Sequence, residues 1–108
     1  MEHEIIRINT HFQDLIGWIA VIDGITVGHV FMQVELENKV KFLDAWVHED
    51  HRRKGIYKML WDVRWKYVNE KFKGYTVYAW CKNNSLPVYK MNEFDQLEIA
   101  THVEKYIL

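Results

Sequence analysis

The chain has 108 residues, a hydrophobic fraction of 49%, a charged fraction of 27% and a formal net charge of −1, which predicts one domain, 1–108, that buries about two thirds of its unfolded surface. The near-zero net charge argues against general attraction to nucleic acids or membranes, and no apolar run approaches the ~20 residues of a membrane span. The single cysteine, Cys81, excludes an intramolecular disulfide, and the opening Glu2-His3-Glu4 lacks a signal-peptide pattern, so we expect a cytoplasmic protein.

The first half of the chain predicts antiparallel strands. Residues 4–9 alternate weakly as a short strand, and residues 11–14 suit a turn or one helical turn. The β-rich runs 15–22 and 25–36 are separated by Asp23-Gly24, which favours a type I′ hairpin because both turn residues need positive φ. The polar residues 37–39 then turn the chain into a third strand over 40–47.

The second half predicts a βαβ unit. Apolar residues between Gly55 and Phe72 recur at helical spacing, and Lys73-Gly74 supplies a C-terminal stop. Residues 75–81 are β-like, so the strands on either side of the helix should be parallel, with a right-handed crossover. Residues 83–85 suit the N-cap of a short helix through Met91, and two closing strands follow over 94–100 and 103–108.

A basic turn with one glycine joins the third strand to the long helix. Arg52, Arg53, Lys54 and Gly55 lie in this turn. Backbone N–H groups at a helix start lack intrahelical partners and carry the positive end of the helix dipole, so they attract a phosphate group. Alone, such a basic triplet is usually a solvated turn; combined with the glycine and the long helix, it predicts a pyrophosphate site.

Two segments carry a resemblance to the GNAT superfamily of N-acetyltransferases, which covers roughly Leu15 to the C-terminus. In the first segment, Val47 ends a strand and residues 52–57, Arg-Arg-Lys-Gly-Ile-Tyr, follow the pattern Arg/Gln-x-x-Gly-x-Gly/Ala. Tyr57 departs from the small residue usual at the last position. The second segment, residues 85–94, is similar to Ala-x-x-x-Tyr-x-x-x-Gly-Phe, with Tyr89 on the tyrosine and Glu93 replacing glycine.

The resemblance implies a mixed α/β (α+β) fold, with a mostly antiparallel sheet, a central parallel pair, one long helix and one short helix. The parallel pair should splay apart and hold the pantetheine arm of acetyl-coenzyme A (acetyl-CoA) in the gap. The implied cofactor-binding residues are Trp46, Val47, Arg52, Arg53, Lys54, Gly55, Ile56, Tyr57 and Asn84. The histidines and acidic residues show no metal-ligand spacing, so no metal is expected.

The chemistry of amine acetylation adds three catalytic candidates. An amine attacks a thioester only when unprotonated, so a base must remove its proton. Asp44 is the first candidate, because it matches an acidic position in polyamine-type relatives, and His48 is the second, because imidazole titrates near neutral pH. Tyr89 matches the family's general acid and could protonate the leaving thiolate. The plainer alternatives are packing for Tyr89, pairing with Lys41 for Asp44, and exposed loop positions for His48 and His51.

The resemblance also raises a question about the acceptor. Family members normally place a strand and two helices before the hairpin, whereas about fourteen residues precede Leu15 here. We therefore expect an acceptor site that is open, absent, or completed by a second subunit in a homodimer. The leading prediction is an N-acetyltransferase for a small-molecule or protein amine. The alternatives are a non-catalytic module that binds coenzyme A or a protein, and a nucleic-acid binder that uses residues 51–54.

Overall fold

A computed structural model describes residues 3–9, 14–80, 86–92, 94–96 and 102–108. The fold is a seven-stranded sheet in the order β1-β2-β3-β4-β5-β7-β6 with two α-helices. The strands are β1 (His3–Asn9), β2 (Leu15–Ile22), β3 (Ile25–Glu35), β4 (Lys39–Val47), β5 (Thr76–Trp80), β6 (Asp95–Gln96) and β7 (His102–Tyr106). The helices are α1 (Ile56–Lys71) and α2 (Leu86–Met91), and a 3-10 turn, Glu49–His51, precedes α1. The predicted fold class is confirmed.

The predicted hairpin between β2 and β3 is confirmed at its turn. Asp23 and Gly24 have φ values of 50° and 81°, as a type I′ turn requires. The strands on either side pair in antiparallel register from Ile22↔Ile25 to Leu15↔Gln33. Strand β1 pairs along the other edge of β2, and residues 10–14 separate these two strands.

The parallel pair is β4 and β5, and it separates partway along β4. The register runs from Lys39↔Thr76 to Phe42↔Ala79, whereas β4 continues to Val47. The last five residues of β4 therefore have no partner on β5, so the two strands diverge. Thus the splay that the resemblance implied is present, and it opens a gap beside the start of α1.

Helix α1 packs on the face of the sheet that carries the even-numbered residues of β2 and β3. Trp18 meets Tyr67 of α1 with ring centroids 5.3 Å apart, and a Cβ on Gly28 would lie 3.3 Å from Leu60 Cδ1. Residues on this face are buried together in one core, the main source of stability in a domain of this size. Helix α2 packs on the same side, because Tyr89 contacts Trp61 of α1.

The opposite face of the sheet is not covered by a helix in the part of the chain that the structure describes. It carries the half-buried Ile19, Phe31 and Leu43, and the ring of Phe31 lies over Gly17, where an added Cβ would clash with it. None of the described helices is long and apolar enough to span a bilayer.

Some boundaries differ from those predicted. Strand β3 ends at Glu35 rather than at residue 36. Strand β5 is described through Trp80. Of the strand expected over 94–100, the structure describes β6 (Asp95–Gln96), and residues 97–100 lie outside the described residues. Of the turn expected over 11–14, residues 11–13 lie outside the described residues, as do the N-cap at 83–85 and Cys81.

Candidate active site

A cavity of about 750 Å³ lies where β4 and β5 separate. Its walls come from the end of β4, the loop before α1, one side of α1, the end of β5 and helix α2. The lining residues are Phe42, Leu43, Asp44, Ala45, Trp46, Val47, His51, Arg52, Arg53, Gly55, Ile56, Tyr57, Lys58, Arg64, Trp80 and Tyr89. Pockets of this size suit small molecules and cofactors.

A bulge in β4 shapes one wall of the cavity. Phe31 pairs with Leu43 and His29 pairs with Trp46, so Asp44 and Ala45 together oppose a single residue of β3. Asp44 has a φ of 55°, a left-handed conformation that aspartate tolerates better than most residues. A bulge bends its strand and re-aims side chains. The result is an exposed carboxylate on the cavity wall without an ion-pair or hydrogen-bond partner among the described residues.

The loop between β4 and α1 turns through two left-handed residues. Arg53 has a φ of 63° and Gly55, the N-cap of α1, has a φ of 80°. The Nε of Arg52 donates to the carbonyl oxygen of Val47 at 3.0 Å, which ties the loop to the end of β4. Because Gly55 has no side chain to cap the helix, the first N–H groups of α1 have no side-chain cap and lie at the cavity.

Tyr89 enters the cavity from α2 and is held by aromatic contacts. Its ring lies edge-on to Trp61, with centroids 4.8 Å apart, and edge-on to Phe94, with centroids 5.1 Å apart. The residue is only 5% exposed. Its ring orientation is therefore fixed, and it also lines the cavity.

Arg64 is a buried cation on the cavity wall that the sequence interpretation missed. Its exposed fraction is 0%, its Nη1 donates to the carbonyl oxygen of Phe31 at 3.0 Å, and its Cζ lies 3.8 Å from the ring centroid of Phe42. Burial lowers the pKa of Arg64, and the nearby hydroxyls of Tyr89 and Tyr57 oppose this effect. An arginine keeps its charge even under such conditions.

His51 differs from its expected place as an exposed loop residue. It is half-buried and lines the cavity. Its Nδ1 is buried without a hydrogen-bond partner among the described residues. His48, in contrast, is exposed, and its Nδ1 accepts a hydrogen bond from the backbone N–H of Asp50 at 3.1 Å. This imidazole therefore caps the 3-10 turn.

Most of the predicted site residues meet at one cavity. Those that line it are Asp44, Trp46, Val47, Arg52, Arg53, Gly55, Ile56, Tyr57 and Tyr89. His48 and Lys54 are not part of its lining, and Asn84 lies outside the described residues. Within the described ranges, no group of three or more His, Cys, Asp or Glu residues could hold a metal ion.

Comparison with known proteins gives one family. The sequence model described as "Acetyltransferase (GNAT) family" matches residues 2–94. No match was found among the curated proteins.

Solved structures with a similar fold include one GNAT-family acetyltransferase and two N-acetyltransferases. A GNAT-family acetyltransferase from Staphylococcus aureus has a TM-score of 0.71 and 14% identity, over 88% of this chain and 69% of that one. The PaiA N-acetyltransferase of Thermoplasma acidophilum, solved with coenzyme A, has a TM-score of 0.70 and 18% identity, over 86% and 61%. The ribosomal-protein-S18-alanine N-acetyltransferase of Escherichia coli has a TM-score of 0.71 and 12% identity, over 87% and 67%. The chain thus spans three fifths to two thirds of the length of these proteins.

Proposed function

This chain belongs to the acetyltransferase (GNAT) family of enzymes, and we propose that it transfers an acetyl group from acetyl-CoA to a primary amine. One observation carries the proposal. The carboxylate of Asp44 and the hydroxyl-bearing ring of Tyr89 line the same cavity as the basic start of α1. A base, an acid and an anion-binding end are the groups that amine acetylation requires.

The residues of the cavity fit acetyl-CoA. The uncapped N–H groups at the start of α1 and the cations Arg52, Arg53 and Lys58 suit the pyrophosphate. The end of β4 has no partner on β5, so backbone groups near Trp46 and Val47 on that side would pair with the pantetheine amides. Coenzyme A is bound in the similar PaiA structure, which supports the same choice of donor here.

Two side chains of this cavity would move the protons of the reaction. Acetyl-CoA supplies a thioester whose carbonyl carbon an unprotonated amine can attack. Asp44, on the exposed wall, would take the proton that the amine loses, directly or through one water. Tyr89, on α2, would give its proton to the thiol sulfur as the carbon–sulfur bond breaks. A tyrosine near pKa 10 is a suitable acid for a thiolate near 8.5.

The acceptor in this proposal is an amine on a small molecule or a protein. Asp44 gives the mouth of the cavity a negative group, which favours a cationic acceptor before it loses its proton. One relative of similar fold is named for acetylating the alanine of ribosomal protein S18, so a protein amine is included. A cytoplasmic location remains a prediction that rests on the single cysteine.

The proposal includes a homodimer. The sheet face opposite α1 carries the partly buried Ile19, Phe31 and Leu43 and the 40% exposed Trp46, and Trp46 also lines the cavity. A second copy on this face would cover apolar surface and wall the acceptor site. Light scattering at micromolar concentration should give about twice the chain mass of 13.1 kDa; the mass of a single chain would contradict the dimer.

The experiment for the proposed function is an acetyl-transfer assay with Tyr89→Phe. We expect the wild-type protein to acetylate at least one member of a broad panel of amines, and Tyr89→Phe to lower kcat by about 10²-fold or more. The matched control is Tyr106→Phe, because Tyr106 is 56% exposed and does not line the cavity. Unchanged turnover in Tyr89→Phe would reject Tyr89 as the acid. Failure of the wild-type protein on every amine would favour the non-catalytic module.

A further inference from the structure

The molecule contains a buried cation without a carboxylate partner among the described residues. Arg64 is fully buried, and neither of the side-chain pairs His48–Asp50 and Lys58–Asp62 involves it. Burying an unpaired charge is strongly unfavourable, so the position of Arg64 requires an explanation. Leucine or methionine would fill the same space at lower cost.

The contacts of Arg64 fix its guanidinium on two sides. Nη1 donates to the carbonyl oxygen of Phe31 on β3, and the ring of Phe42 on β4 lies 3.8 Å from Cζ. The ring of Trp61, one turn earlier on α1, lies 5.2 Å from Cζ. These contacts hold the group still, yet Nε and Nη2 remain without a hydrogen bond of good geometry.

The remaining side of the guanidinium faces Tyr89 and Tyr57. Burial lowers the pKa of Arg64, and the charges of Tyr89 and then of Tyr57, with a hydrogen bond to Tyr89, raise it. Trp61 contacts both Arg64 and Tyr89: the centroid of its ring lies 5.2 Å from Arg64 Cζ and 4.8 Å from the centroid of the Tyr89 ring. Arg64 and Tyr89 also line the same cavity. The geometry therefore pairs the buried cation with the proposed acid.

We propose that Arg64 is a positioning residue for the acetyl transfer: its guanidinium holds the hydroxyl of Tyr89 at the cavity and stabilises the tyrosinate that remains after Tyr89 gives up its proton. The catalytic role of Arg64 rests on the proposed function, whereas its pairing with Tyr89 does not. The proton goes from the Tyr89 oxygen to the thiol sulfur, and the tyrosinate regains a proton from water afterwards. No group is oxidised or reduced, and Arg64 keeps its own protons throughout.

A cation beside a phenol favours its ionised form, whereas burial favours its neutral form. The proposal requires that Arg64 outweigh burial, so that Tyr89 titrates below the ordinary tyrosine value of about 10. Other ionisable groups around the cavity are Tyr57 on α1, His51 on the 3-10 turn, Asp44 on β4 and the cations Arg52, Arg53 and Lys58. Asp44 is the one carboxylate among the described lining residues, and it is exposed.

The test is an ultraviolet titration of tyrosinate absorbance in the purified protein without acetyl-CoA. We expect a tyrosine that titrates below pH 10 in the wild-type protein, disappears in Tyr89→Phe and persists in Tyr106→Phe. In Arg64→Gln, which removes the charge, the Tyr89 midpoint should rise by at least about one pH unit. In Arg64→Lys, which keeps the charge, it should stay below 10.

Two results would overturn the pairing: a wild-type Tyr89 midpoint at or above 10, or the same midpoint in the wild-type protein and Arg64→Gln. If Arg64→Gln does not fold by circular dichroism, the wild-type, Tyr89→Phe and Arg64→Lys titrations decide the question. A low Tyr89 midpoint with no transfer to any amine would reject the proposed function and keep the pairing. If acetyl transfer depends on Tyr89 but the Tyr89 midpoint is unchanged in Arg64→Gln, the pairing is rejected and the proposed function is kept.

Discussion

The ring of Tyr89 meets the ring of Trp61 edge-on, with centroids 4.8 Å apart and planes at 88°. Trp61 lies on α1, the helix that begins at the basic loop, and Tyr89 lies on α2. The contact therefore fixes the proposed acid relative to the proposed pyrophosphate site. Trp61 also contacts Phe42, with centroids 5.7 Å apart, which extends the same aromatic cluster to β4.

Trp61→Ala should lower the free energy of unfolding by about 3–5 kcal/mol, because it leaves a large cavity in the core. Trp61 is only 2% exposed. Urea denaturation at neutral pH measures the change. The control is Trp80→Ala. Because Trp80 is 53% exposed, this substitution should lower the free energy of unfolding by less than about 1 kcal/mol. Equal losses in the two variants would contradict the central place of Trp61.

Gly55→Ala should cost about 1–2 kcal/mol in stability, because alanine is strained at the φ of 80°. A Cβ there meets no atom within 4 Å, so the cost is conformational. Relaxation of that strain would turn the N–H groups at the start of α1, so the affinity for acetyl-CoA should fall as well.

The control for Gly55 is Gly74→Ala, at a φ of 86° in the turn after α1. Gly74→Ala should lower the free energy of unfolding by a similar amount, and its affinity for acetyl-CoA, measured by calorimetric titration, should stay unchanged. Equal loss of affinity in both variants would show that the effect of Gly55→Ala comes from general destabilisation.

Asp44→Asn should lower kcat/KM by about 10²-fold, because the amide can no longer accept a proton from the amine. The control is Asp23→Asn, which also changes an aspartate at positive φ, 50°, but in the hairpin turn away from the cavity. Initial rates with acetyl-CoA and the best amine measure both. A change of less than twofold in Asp44→Asn would remove this carboxylate as the base.

The hydrogen bond between Tyr78 and Glu35 should make stability fall at high pH. The Tyr78 hydroxyl donates to Glu35 Oε1 at 2.5 Å. Burial, followed by this hydrogen bond and the charge of Glu35, raises the pKa of Tyr78 to about 12. Because the folded pKa is above the unfolded value near 10, the stabilisation is complete below pH 10 and is lost as the pH rises through 12.

The Tyr78 prediction is checked by urea denaturation of the wild-type protein and Tyr78→Phe. The wild-type protein should be more stable by about 1 kcal/mol at pH 9, and the difference should shrink by pH 11. A difference that stays constant over this range would mean that the Tyr78 hydroxyl titrates outside it.

Local patterns were enough to predict the elements that build the site. Asp23-Gly24 identified the hairpin because few residues other than glycine, asparagine and aspartate adopt its φ values easily. The apolar spacing between Gly55 and Phe72 identified α1, which runs over Ile56–Lys71. The resemblance then indicated that the flanking strands splay, as β4 and β5 do after Phe42↔Ala79.

Long-range contacts explain what the sequence did not reveal. Arg64 looks like a solvent-facing helix residue, and it is buried because Phe31 and Phe42, far away in the chain, offer it a carbonyl oxygen and a ring face. The bulge at Asp44 and Ala45 has no glycine or proline to mark it. The half-buried position of His51 likewise depends on how the 3-10 turn packs against the cavity.

The coenzyme A site is tested most directly by a titration of acetyl-CoA against the purified protein, followed by thermal unfolding, with ATP as the control for general polyphosphate binding. If acetyl-CoA binds only the folded state, the midpoint of unfolding should rise with the logarithm of the acetyl-CoA concentration above the dissociation constant. ATP should produce a much smaller rise. No shift at millimolar acetyl-CoA, or an equal shift with ATP, would contradict a coenzyme A site in the cavity between β4 and β5.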